Sequence, residues 1–366
     1  MTLHQLATGV IAFANRIGRS LPLFPYPAEL QIALNRVCAA ALRSGSPSPQ
    51  SMPDLIQWCR RPLSAWPLPL AIENAEEIGP LLDGILPTEV CETWACASSD
   101  VEAELTEQKL LLNVLTTCRQ ANSPDAYVAF RRLVIDRPVL TALELQQECS
   151  QLPLALLADF LRVAYEAAPA ACVTTSQELV CCGVCGNLLL NNLEGGFVCE
   201  EERCREGFVE GKRAHRKISP GRRLQVQDEV LWLKRGLRRF VAAPGRAELR
   251  LERQLVGMGL QVEMWPEYDH YDLRILFANE SIWAVDVKDW ADPRSLGRRI
   301  ARQMPNPIPS SPRWTKAYFV FPQERKSTRH DYGRAFKSSC SKLPQNVQVA
   351  FENEFLKAVR QHMEEL

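Results

Sequence analysis

Four residues in the last third of the chain, Glu248, Asp272, Asp286 and Lys288, have the types and spacing of a metal-dependent hydrolytic site. The run Ser281-Ile282-Trp283-Ala284-Val285-Asp286-Val287-Lys288 alternates as a strand, which puts Asp286 and Lys288 on one face and Val285 and Val287 on the other. A charged pair at the end of an apolar strand is costly to bury unless something compensates it, and a divalent cation does so. Asp272 and Asp286, with the carbonyl of Val287, offer the hard oxygen ligands that magnesium or manganese prefers. Lys288 can orient an attacking water or stabilise charge developing at phosphorus. Glu248, eleven residues before Gly259, lies on a helix facing the same strands and can add a ligand. The competing reading is a plain surface salt bridge between Asp286 and Lys288.

The elements that must position these groups follow from periodicity. A helix begins after Pro244-Gly245, runs through Ala247–Val256, and stops at Gly257-Met258-Gly259. Leu260–Met264 alternates as a strand, Trp265–Tyr271 connects it to a second strand over Asp272–Phe277, and Asn279-Glu280 turns into the third. A helix over Arg294–Gln303 and an apolar strand over Ala317–Phe321 complete the order α-β-β-β-α-β.

A second constellation is made of cysteine. Of thirteen cysteines, seven stand singly in helical-looking segments and read as small buried apolar groups, while Cys172, Cys181, Cys182, Cys185, Cys199 and Cys204 crowd together. Cys182-Gly183-Val184-Cys185-Gly186 is a tight turn aiming two thiolates at one point, and Cys199 and Cys204 form a looser pair after thirteen residues. Four thiolates suit tetrahedral Zn2+. Asn187–Asn192 and Gly195–Val198 read as two short strands, the outline of a zinc ribbon. Cys181 or His215 can substitute for a ligand, and free thiols or a redox pair are the alternatives.

The formal net charge of zero hides a division. Residues 1–202 carry 12 Lys+Arg against 23 Asp+Glu, and residues 203–366 carry 31 against 20, so the halves are −11 and +11. Twelve of the cations fall within residues 203–239. Lys212, Arg213, Arg216, Lys217, Arg222, Arg223, Lys234, Arg235, Arg238 and Arg239 are the candidate phosphate contacts, with a basic helix expected over Asp228–Val241. A solvated helix face is the alternative. A fragment of about residues 172–366 is expected to keep nucleic-acid binding, and residues 1–170 to lack it.

Apolar residues at three-to-four spacing over His4–Ile17, Glu29–Arg43, Thr88–Gln120 and Ala126–Ala167 make residues 1–170 a helical interaction or scaffold region, with a possible division near Asn122-Ser123-Pro124. No apolar run approaches the ~18 residues that span a bilayer, and the N-terminus lacks the order of a secretory signal, so the expected location is cytoplasmic. The expected fold is multidomain: a helical region (1–170), a zinc ribbon (172–212), a basic helical linker (213–246) and an α/β core with a C-terminal helix (247–366).

The D-x(13)-D-x-K pattern, with Glu248 upstream, resembles the PD-(D/E)xK restriction-endonuclease-like superfamily over residues 247–321, although Tyr271 stands where the family name has proline. The wider string Trp265-Pro266, Tyr271-Asp272-Leu273-Arg274 and Trp283-Ala284-Val285-Asp286-Val287-Lys288-Asp289-Trp290-Ala291 is similar to the restriction-endonuclease-like proteins associated with prokaryotic PIWI-RE, which are Argonaute-like. That resemblance implies a Mg2+- or Mn2+-dependent endonuclease acting on DNA in bacterial defence against plasmids or phage. The implied partners are an Argonaute-like protein and a DinG-type helicase, and double-strand cleavage implies a homodimer. A non-catalytic nucleic-acid-binding adaptor and a nuclease acting on RNA are the rival functions.

Overall fold

The computed structural model describes all residues except 1–2, 19–21, 69–77, 97–101, 192–195, 210–211, 216 and 341–342. The chain forms two compact units, and each is discontinuous in sequence. Unit one takes Met1–Leu105, Ala168–Gly207 and His215–Gln227; unit two takes Thr106–Ala167, Phe208–Ala214 and Asp228–Leu366. The boundary thus falls inside the stretch expected to be one helical region, because residues 106–167 pack with the C-terminal core. No helix among the described residues is long and apolar enough to cross a membrane.

In unit one, helices Leu3–Gly18, Ala28–Ser44, Met52–Cys59 and Glu89–Cys96 bury Leu6, Val10, Leu30, Val37 and Leu55 in one core. The third opens with Ser51 accepting from the Asp54 N–H at 3.3 Å and Pro53 in its first turn, both favourable helix starts. Among its described residues the same unit carries small antiparallel ladders, Leu82–Asp83 with Leu86–Pro87, Glu178–Cys182 with Pro220–Gln225, and Leu189–Asn191 with Phe197–Cys199. At Gly183 an added Cβ would come within 2.9 Å of the Ser219 carbonyl, so glycine is what lets the two strands of the second ladder close at this end.

In unit two, a five-stranded sheet is built from β1 (Gln261–Met264), β2 (Leu273–Leu276), β3 (Ile282–Val287), β4 (Lys316–Phe321) and β5 (Val347–Phe351), neighbours in that order. β1, β2 and β3 are antiparallel, and β4 and β5 continue parallel to β3. The period of two sorts the side chains: Leu273, Ile275, Val285, Val287, Tyr318 and Val320 join one core, while Ala284, Ala317, Phe319 and Phe321 join the other. The first core is closed by α1 (Glu102–Gln120), α2 (Pro124–Asp136) and α3 (Ala243–Gly257). The second is covered by α4 (Pro293–Ala301) and α5 (Tyr332–Ser339) through Leu296, Ile300, Tyr332 and Phe336. Asp292 caps α4, accepting from the N–H groups of Arg294 and Ser295 at 3.1 Å each. The order α3-β1-β2-β3-α4-β4 follows the expected sequence of elements, with one short helical turn, Pro266–Asp269, inside the connector.

Two departures matter. Asp228–Val241 does not form one helix: Val230–Leu233 is a strand between Val139–Thr141 and Tyr165–Ala167, and helical structure begins only at Arg235. Val230, Trp232 and Leu233 are buried there, so partners 64 to 93 residues away, invisible to local periodicity, decide the conformation. The Asn122-Ser123-Pro124 break is only the turn between α1 and α2.

Candidate metal centres

The register Leu273↔Val285, carried one step further, sets Asp272 opposite Asp286 on the same face of the sheet. The Val287 N–H donates to Asp272 Oδ2 at 2.6 Å, fixing one carboxylate oxygen against the end of β3. Lys288 Nζ lies 2.5 Å from Asp286 Oδ1, both side chains being largely buried. Burial, then the charges of Glu248 and Asp286, push the Asp272 carboxyl well above the usual carboxylate range, and Lys288 only partly offsets them. Burial pulls the Lys288 ammonium down, but Asp286 and Asp272 outweigh it and hold Lys288 above its ordinary value. Three acids and one lysine therefore feel one another's charge at the end of the central strands. Such crowding favours an added cation.

Glu248 is buried on α3, and its Oε2 accepts from Trp265 Nε1 at 2.6 Å and from Arg131 Nη2 at 3.2 Å. Burial raises its carboxyl above the ordinary value despite the opposing charge of Arg131. Arg131, on α2, also binds Asp269 through Nη1 at 2.5 Å and lies 4.7 Å over the Trp265 ring. Asp269 belongs to an unusual turn in which Trp265, Glu267, Tyr268 and Asp269 all have positive φ, from 46° to 73°. Each such non-glycine residue costs on the order of 1 kcal/mol or more, so the turn must be held by its surroundings. Tyr127 donates to Asp269 at 3.0 Å, and Tyr268 donates to the Cys118 carbonyl at 3.3 Å.

The four thiols of Cys182, Cys185, Cys199 and Cys204 are buried, and their sulfurs lie within 4.8 Å of one another. Cys185 Sγ and Cys199 Sγ are 3.5 Å apart, and the Val184 N–H turns toward Cys182 Sγ at 3.4 Å. Hydrogen bonds from Cys185, Cys199 and Cys204 pull the Cys182 thiol below its usual range. One converging, water-excluded set of four sulfurs fits Zn2+. Cys181 is buried nearby but is not part of this set. Among the described residues no three carboxylates gather as closely.

The candidate phosphate contacts do not form one surface element. Lys217, Arg222 and Arg223 belong to unit one, where Lys217 and Arg222 are exposed and Arg223 pairs with Glu178 at 3.0 Å. Lys234, Arg235, Arg238 and Arg239 belong to unit two. Arg238 is a correction: it is buried, its guanidinium 3.5 Å from the Trp232 ring centre and bonded to the Leu233 carbonyl, so it braces the fold instead of facing phosphate. Lys212 and Arg213 sit on the strand Lys212–His215, and Arg216 lies outside the described residues.

Sequence reading missed Arg131, Trp265 and Asp269 around Glu248, and the buried pair Arg325–Asp289, 2.8 Å apart, that ties down the residue after Lys288. One signal was present. Arg131 lies four residues after Tyr127 in a helix whose Ala126, Phe130, Val134 and Ile135 are apolar, a position that puts a cation on the buried side.

No curated protein and no solved structure matches the chain. Two family models do: residues 245–366 match "REase associating with pPIWI_RE", and residues 2–141 match "pPIWI_RE three-gene island domain Y". The C-terminal segment is therefore similar to the restriction-endonuclease-like proteins associated with pPIWI-RE, and the N-terminal segment to domain Y of the same three-gene island.

Proposed function

We propose that this chain is a divalent-metal-dependent endonuclease with a PD-(D/E)xK-type core, hydrolysing DNA phosphodiester bonds in the cytoplasm beside a pPIWI-RE partner. The observation that carries the reading is the facing pair Asp272 and Asp286 with Lys288 at 2.5 Å from Asp286, a buried excess of negative charge at a strand end. Asp272 and Asp286 would hold Mg2+ or Mn2+, which supplies a Lewis acid for the phosphoryl oxygen. Lys288 orients the attacking water and stabilises charge growing on the non-bridging oxygens. Glu248, on α3 and close enough for its charge to act on Asp272, would add a further carboxylate to that site. The Cys182, Cys185, Cys199 and Cys204 set holds a structural Zn2+, and exposed cations such as Lys217 and Arg222 meet the phosphate backbone. In this reading the protein serves defence against plasmids or phage.

The test is incubation of the purified full chain with plasmid, linear duplex, single-stranded DNA and RNA in Mg2+, Mn2+ or EDTA. Metal-dependent cutting of DNA is expected, and Asp286→Ala is expected to lower it at least about 10³-fold by deleting a direct ligand. Full cutting by Asp286→Ala removes the assigned site. Cutting of RNA alone moves the substrate to RNA, and nucleic-acid binding without cutting by the wild type favours the adaptor.

A further inference from the structure

We infer that the nuclease centre is composite: Arg131, from the segment matched by domain Y, is a positioning residue for Glu248 and for the turn leading into Asp272. The inference rests on the nuclease reading above and names a part of the site that lies outside the segment matched by the REase family.

The family boundaries and the folding units disagree. Domain Y is matched over residues 2–141, yet residues 106–141 pack inside unit two with the five-stranded sheet. The approach is close: a Cβ added at Gly245 on α3 would come within 2.4 Å of the Ile135 side chain on α2. On that contact α2 aims one guanidinium at two acids, Glu248 through Nη2 at 3.2 Å and Asp269 through Nη1 at 2.5 Å.

The pattern of bonds on Glu248 is specific. Both of its donors, Arg131 and Trp265, go to Oε2, and among the described residues none goes to Oε1. One oxygen is pinned, and the carboxylate's other oxygen is left for a ligand. Through Asp269 the same guanidinium holds the turn of four left-handed residues that ends three residues before Asp272. Arg131 Nε is buried without an acceptor, a cost that an apolar residue at this position would avoid. Bulk packing therefore does not account for an arginine here, whereas bridging two acids does.

The experiment uses the full-length chain with Arg131→Met, Arg131→Lys and Trp265→Phe. Three quantities are read on each variant: Mn2+ affinity by spin-resonance titration, the Mg2+ concentration for half-maximal plasmid cutting, and the melting temperature. Arg131→Met is expected to weaken Mn2+ binding and raise the Mg2+ requirement about tenfold or more, the range seen when groups orienting a metal ligand are lost. Arg131→Lys should recover part of this, since an ammonium can hold one acid but not fork to two. Trp265→Phe should shift both quantities in the same direction by less. A folded Arg131→Met protein with unchanged Mn2+ affinity and unchanged Mg2+ requirement overturns the inference, whatever its melting temperature. If Arg131→Met does not fold, unchanged metal dependence in both other variants overturns it equally. A wild type that neither binds Mn2+ nor cuts nucleic acid brings down the nuclease reading itself, and this inference with it.

Discussion

The four sulfurs of unit one lie within 4.8 Å of one another, whereas the carboxylates of Glu248, Asp272 and Asp286 in unit two form no such set and each leans on a protein donor. The chemistry of the ligands accounts for the difference. Thiols can share protons and hydrogen bonds at van der Waals distance, so a closed soft-metal site can be preassembled. Buried carboxylates repel, and they stay apart by borrowing Arg131, Lys288 and the Val287 N–H. A closed site suits a structural ion, and an open one keeps room for substrate.

Four measurements can break or sharpen this contrast. The largest effect should come from removing the N-terminal segment of unit two, residues 106–167. A fragment of residues 172–366 lacks α1, α2 and both strands flanking Val230–Leu233, so it should show no cooperative melting. The expectation from charge alone is that such a fragment keeps nucleic-acid binding, which the same preparation can test by salt titration. A sharp transition in its heat-capacity trace would show that residues 106–167 are dispensable.

Next in size is zinc. Elemental analysis should find about one Zn2+ per chain, and Cys182→Ser with Cys199→Ser should lose it together with the order of the ribbon, since structural zinc contributes on the order of 10 kcal/mol. Folded protein purified without zinc would remove the closed-site half of the contrast.

Lys288→Ala should keep Mn2+ binding while the cutting rate falls about 10²- to 10³-fold, because the ammonium acts on the reacting charge and is not a ligand. Loss of Mn2+ affinity equal to that of Asp286→Ala would mean that Lys288 organises the site and has no separate role in the chemistry.

The smallest effect concerns the metal-free protein. Asp272 has a folded pKa raised above its ordinary value, so the folded state holds that proton more tightly than the unfolded chain. Its penalty is absent below the ordinary carboxylate pKa of about 3.9, grows as pH rises to the folded value, and is complete above it. Asp272→Asn should therefore raise the melting temperature at neutral pH by about 2–4 °C per kcal/mol relieved, and the gain should vanish as pH falls to about 4. A melting gain that is the same at both pH values would assign the effect to packing.

Much of the candidate site could be read from sequence because it is local. Asp286 lies in a strand of period two with Lys288 just past its end, Asp272 sits at hairpin distance, and Cys182 and Cys185 share one turn. What escaped reading lies far apart along the chain. Val230–Leu233 has apolar spacing compatible with a helix, and only its pairing with Val139–Thr141 and Tyr165–Ala167 makes it a strand. Arg131 finds Glu248 from 117 positions away, and the left-handed turn at Trp265–Asp269 carries no glycine to announce it. β5 alternates, with Val347, Val349 and Phe351 on one core, but only its pairing with β4 fixes it as the edge strand of the sheet.

The interleaving of the two units also bears on how the chain is made. At about 5–20 residues per second, the ribosome needs roughly 6–23 s to move from Arg131 to Glu248, 117 residues later. Throughout that interval the apolar side of α2, with Phe130, Val134 and Ile135, has no sheet to cover it. Unit one in turn waits for residues 168–207 and 215–227. Neither unit can finish early, so nascent chains of intermediate length are the sticky species. Slowing translation between residues 140 and 260 should raise the share of chains held by chaperones, and speeding it should lower that share.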